Sequence, residues 1–112
     1  MTATTEKLGL FLPQGLHERM VEAAAERLGG RKTPRGGVRL VYEQALNDLL
    51  DTLDAGQLVT FPAVRGAKQR ISVRVSGLLC ARIRGRLDPL NLKLTDFAST
   101  AIVRFLHPSE GA

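Results

Sequence analysis

The chain has 112 residues, 44% of them hydrophobic, one cysteine and a formal net charge of +5. That size and apolar content suit one domain, or two small units sharing a core, and exclude general disorder. The lone Cys80 excludes an internal disulfide, so a cytoplasmic location is expected.

The opening "MTATTEKLGLFLPQG" has too brief an apolar run for a signal peptide, and no stretch approaches the roughly 18 apolar residues of a membrane span. No membrane partner is expected. Charge is unevenly placed: residues 1–56 hold seven Lys/Arg against eight Asp/Glu, whereas residues 57–112 hold nine against three. Between Asp54 and Asp88 there is no acidic residue, yet Arg65, Lys68, Arg70, Arg74, Arg82, Arg84 and Arg86 all fall there. Such a one-signed interval points to an acidic partner, nucleic acid being the commonest.

The first predicted element is a strand. In "KLGLFLP", Leu8, Leu10 and Leu12 share one face and Lys7, Gly9 and Phe11 the other. Helical spacing follows at Leu16, Met20, Ala24 and Leu28, with Pro13 suited to the first turn. "LGGRKTPRGG" at 28–37 breaks the helix. A second helix then runs through Val38, Val41, Tyr42, Ala45, Leu49 and Leu53, with Gly56 as its stop.

Residues 57–68, "QLVTFPAVRGAK", read as a linker in which "QLVTF" could add a short strand. Next, "QRISVRVSG" alternates again, placing Ile71, Val73 and Val75 on one face and Arg70, Ser72 and Arg74 on the other. By itself such a cationic comb is either the wet side of an edge strand or a surface for a polyanion. Ser76 is a suitable cap for a third helix carrying Leu79, Ile83 and Leu87. "DPLNLKLT" at 88–95 interrupts it, and a fourth helix runs from a Thr95 cap through Phe97, Ala98, Ala101, Ile102 and Phe105 until Pro108.

The halves superpose as copies: Leu8 falls on Ile71, Leu10 on Val73, Leu12 on Val75, Leu16 on Leu79, Arg19 on Arg82 and Met20 on Ile83. The expected organisation is a first unit at 1–56, a linker at 57–68, a second unit at 69–107 and a tail at 108–112. A lone six-residue strand cannot pair its own backbone groups, so each copy needs a partner strand. Residues 55–68 could stretch roughly 45 Å at about 3.3 Å per residue, ample for antiparallel pairing of the two copies. The expected fold is α+β and mostly helical, in the order β-α-α-linker-β-α-α, with a two-stranded antiparallel ribbon.

This pattern resembles the ribbon–helix–helix superfamily of DNA-binding proteins. "RISVRVS" followed by a helix, and "LKLTDFASTAIV", carry the likeness. Two units in one polypeptide look like the tandem members among accessory proteins of plasmid conjugation and DNA transfer. The resemblance implies a ribbon that enters the major groove of double-stranded DNA, with Arg70, Ser72, Arg74, Lys7, Gly9 and Phe11 at the base-contacting positions. Gly9 and Phe11 depart from the usual polar comb. Phe11 either touches a thymine methyl or marks a strand that faces protein. The unequal strands imply an asymmetric or imperfectly palindromic target. Phosphate contacts are implied at the start of the fourth helix, at Thr95 and Lys93. In the first unit Arg39 aligns with Thr95, and the preceding loop adds Arg31, Lys32 and Arg35.

Other features have plainer readings. Arg82, Arg84 and Arg86 cannot all face one ligand on a helix, and at least one is ordinary surface charge. Cys80, Tyr42 and Phe105 read as core residues. His17 and His107 lack neighbours at metal-ligand spacing, so no metal or cofactor is expected. No phosphate loop and no nucleophile–base set is visible, which argues against an enzyme. The competing function is a protein-interaction adaptor or antitoxin-like module that binds an acidic partner. Assembly stays open between a ribbon closed within one chain and strands exchanged in a self-associated dimer.

Overall fold

Strict alternation of apolar and polar residues produces two strands, β1 (Thr5–Pro13) and β2 (Lys68–Ser76), which pair antiparallel. The computed structural model describes residues 5–27 and 37–107. Around the ribbon lie four helices, α1 (Leu16–Arg27), α2 (Gly37–Asp54), α3 (Gly77–Leu90) and α4 (Leu94–Leu106), giving the chain order β1, α1, α2, β2, α3, α4. The fold is α+β with one two-stranded sheet. No helix among the described residues is long and apolar enough to cross a membrane.

The register places Leu8 opposite Val73 and Leu10 opposite Ile71, while Gly9 faces Ser72. All six apolar residues predicted to point inward are buried: Leu8, Leu10, Leu12, Ile71, Val73 and Val75. They join side chains from all four helices in one core, where Met20, Tyr42, Leu46, Leu50, Phe97 and Ile102 are fully enclosed. Burying each such side chain contributes about 1.5–3 kcal/mol, which is how a ribbon too small to stand alone is held. Helix α2 packs against α1, α3 and α4, and α4 lies under β1.

Local chemistry sets the element ends. Ser76 caps α3 as expected, its Oγ accepting the Leu79 N–H at 3.1 Å. Gly56 ends the α2 region with φ +82, and the Gly56 and Gln57 N–H groups reach back to the Leu53 and Thr52 carbonyls at 3.0 and 3.2 Å. That left-handed turn is the conformation glycine adopts without strain.

Several boundaries differ from the sequence reading. Pro13 does not open α1. It is the last residue of β1, opposite Lys68, and a two-stranded ribbon tolerates it because both strands are edges. Asp88 and Pro89 do not interrupt α3, which continues to Leu90. Pro89 removes only the bond to the Gly85 carbonyl, and both residues are exposed, so water can replace it. The break comes at Asn91, whose left-handed backbone (φ 50) directs its N–H to the Leu87 and Asp88 carbonyls.

Thr95 is not the cap of α4. Lys93 holds that position without a side-chain hydrogen bond, and Thr95 lies half-buried within the first turn. "QLVTF" adds no strand; instead Val59 and Phe61 pack on the core, and Phe61 stacks on Phe97 with centroids 6.1 Å apart. The Val64 N–H donates to Asp96 Oδ1 at 2.9 Å, so the linker is fastened to α4. Leu28 and Pro108, expected to mark helix ends, lie outside the described residues, as do the tail and most of "LGGRKTPRGG".

Candidate functional site

The outward face of the ribbon gathers all six predicted base-contacting residues. Lys7 stands opposite Arg74, Gly9 opposite Ser72, and Phe11 opposite Arg70, with Lys68 extending the row beside Pro13. Lys7, Gly9, Phe11, Lys68, Arg70, Ser72 and Arg74 are all exposed. None of the four cations has an ion-pair partner among the described residues. No carboxylate shares the face, because period-two alternation sends Glu6 to the other side, where its Oε2 lies 3.5 Å from Arg84.

Directly opposed like charges destabilise a strand pair, so Lys7 and Arg74 cost the free protein something that an anion between them would offset. The two ends of the row are unequal. Lys7 and Arg74 oppose each other toward one end, whereas toward the other Arg70 lies opposite the half-exposed Phe11 and Lys68 opposite Pro13. Between them Gly9 has an ordinary backbone conformation, and a Cβ added there would meet nothing within 4 Å. The fold itself therefore does not require glycine at this position.

The three arginines of α3 point elsewhere. Arg82 donates to Asn47 Oδ1 at 2.9 Å, Asp51 Oδ1 at 2.6 Å and Asp54 Oδ2 at 2.8 Å. Arg86 also donates to Asp54. Arg82 first, and then Arg86, holds the Asp54 carboxyl below the usual carboxylate range, and the same contacts raise the Arg82 guanidinium. Arg84 meets Glu6. The acid-free interval thus overstates the basic surface: its strand cations stay open, while its helical ones are matched by carboxylates of α2 and β1.

The predicted phosphate contacts are scattered. Lys93 is exposed at the α4 N-terminus and Thr95 follows it, partly covered. Arg39 lies in the first turn of α2, but its Nε is 3.3 Å from Glu43 Oε1. Arg31, Lys32 and Arg35 lie outside the described residues. Glu43 was not singled out by the sequence, yet its Oε2 accepts the Ser76 N–H at 2.9 Å and fastens the end of β2 to α2. No local signal in the sequence marks it, because the contact joins residues 33 apart in the chain.

Residues given a structural reading are in the core. Cys80 is buried, and burial first, followed by nearby Glu6, pushes its thiol up. Tyr42 is enclosed, and its hydroxyl lies 2.8 Å from His17 Nδ1. His107 Nε2 accepts from Arg19 at 2.6 Å. No family model, curated protein or solved structure matches the chain.

Proposed function

We propose that the outward face of the β1/β2 ribbon binds double-stranded DNA in the major groove, the chain acting as a tandem ribbon–helix–helix unit. The observation that carries this reading is the carboxylate-free row of Lys7, Lys68, Arg70 and Arg74, in which Lys7 directly opposes Arg74. A two-stranded ribbon fits the major groove, and arginine can bond guanine O6 and N7 together. Gly9 and Ser72, equivalent residues of the two sequence copies, also face each other, which supports a local two-fold axis through the ribbon centre. A ligand that sits on that axis approaches the backbone most closely where Gly9 has no side chain.

The role consistent with this chemistry is a transcriptional regulator or a DNA-transfer accessory factor. Its test is a gel-shift titration on a duplex selected from random sequence. Arg74→Ala loses about 1–3 kcal/mol of affinity there and discriminates less between bases at one position. Lys93→Ala weakens all duplexes alike and lowers the log–log salt slope by about 0.9 for one lost phosphate contact. Unchanged affinity and selectivity for Arg74→Ala remove the ribbon from the mechanism.

Phe11, 49% exposed on the same face, favours a second reading in which the ribbon docks on an acidic protein. Salt-resistant protein binding, with duplex DNA no better than heparin as competitor, selects that reading.

A further inference from the structure

A cavity of about 430 Å³ opens between the linker and α4, beside the Pro13 end of β1. It falls within the roughly 300–1,000 Å³ of small-molecule sites. Its position follows from how the linker is fastened. Phe61 stacks on Phe97 and the Val64 N–H bonds Asp96, so residues 60–65 bridge over the α4 face that carries Ser99, Thr100 and Val103. Pro13, at the end of β1, closes one wall.

The lining combines two chemistries. Pro13, Pro62, Ala63 and Val103 supply apolar surface, while Arg65 and Arg104 supply two cations. No carboxylate lines the cavity, and neither arginine has an ion-pair partner among the described residues. A second observation points into the same space. Thr100 lines the cavity with only 9% of its surface exposed, and its hydroxyl has no hydrogen-bond partner among the described residues. Thr52, also on a helix, shows the usual alternative by donating to the Asp48 carbonyl at 2.9 Å. The Thr100 hydroxyl is not sealed from solvent, so water serves it in the free protein and an acceptor bound in the cavity can take the water's place.

We infer that this cavity binds a small organic anion: a compact apolar body carrying one carboxylate or phosphate group. The body lies against the proline and valine surface. The anionic head meets Arg104 and Arg65 and accepts from the Thr100 hydroxyl, a charge-assisted arrangement stronger than neutral hydrogen bonds. This inference does not depend on DNA binding.

Three probes with one apolar body and different charge test it: naphthoate, naphthalenemethanol and naphthylmethylammonium, each titrated into the isotope-labelled protein. Naphthoate should give saturable shifts at the Ala63, Val64, Thr100 and Val103 amides. The alcohol should bind at least about tenfold more weakly, because its contacts to Arg104 and Arg65 are no longer charge-assisted, and the ammonium more weakly still. Arg104→Gln and the isosteric Thr100→Val should each weaken naphthoate while leaving the remaining spectrum intact, whereas Arg84→Gln, outside the cavity, leaves binding unchanged. Equal affinity for the three probes, shifts centred elsewhere, or no saturable binding of naphthoate overturns the inference.

Discussion

Lys7 and Arg74 face each other between the ribbon centre and its Thr5–Ser76 end, both exposed and with no acid on their side of the sheet. Their repulsion should be visible in the free protein. Replacing Lys7 by Thr removes the opposed charge and adds a good strand former, so folding should gain about 0.2–1 kcal/mol. The same substitution should weaken duplex binding. Chemical denaturation and anisotropy on one sample check both; loss of stability without loss of affinity contradicts the assignment.

Gly9 gives a sharper separation of folding from binding. Nothing in the chain crowds a Cβ there, and glycine within a strand is unfavourable by roughly 0.5–1 kcal/mol. Gly9→Thr should therefore raise stability by about that amount. It should also lower duplex affinity, because a side chain then stands where the ribbon and the groove floor approach. Stability and affinity rising together would place the contact away from the ribbon centre.

Tyr42 is the chain's single tyrosine, so phenolate absorbance reports it alone. Burial, with a smaller contribution from Glu18, pushes its phenol well above the ordinary value. The raised folded value means that its contribution to stability is complete below about pH 10 and lost as pH rises further. Phenolate should consequently appear only as the protein unfolds in alkali. Tyr42→Phe should cost about 0.5–1.5 kcal/mol for the bond to His17. A phenolate signal from the folded protein near the ordinary value would contradict the enclosure of Tyr42.

Asp54 works in the opposite direction. Its carboxyl is held low by Arg82 and Arg86, so its contribution is present above the unfolded carboxylate value of about 3.9 and disappears as pH falls through the lower folded value. Thermal unfolding followed below about pH 4 should show the parent losing stability more steeply than Asp54→Asn. Parallel curves would mean that the α2–α3 pairs contribute nothing net, as many exposed pairs do.

What the sequence made legible was whatever depends on period. Alternation in "KLGLFLP" and "RISVRVS" identified both strands, their buried faces and the outward row, because a one-residue slip would invert every side chain. Ser76 and Gly56 announced their helix ends through local backbone chemistry. Long-range pairings were not legible. Arg82 and Arg86 read as open charge until α2 brought Asp51 and Asp54 beside them. Phe61 lay in a stretch with linker composition, and only its stacking on Phe97 makes that stretch part of the core's cover. Pro89 and Thr95 show the limit of single-residue signals, since α3 accommodates an exposed proline in its last turn and ends at Asn91, and Lys93 begins α4 without any capping side chain.

The central claim is that the ribbon's outward row meets DNA. Amide shift mapping of the labelled protein, titrated with a selected duplex, tests it most directly. The account predicts the largest changes at Lys7, Gly9, Phe11, Arg70, Ser72 and Arg74, followed by Lys93 and Thr95. Changes confined to the helical faces, with β1 and β2 unmoved at saturation, would contradict it.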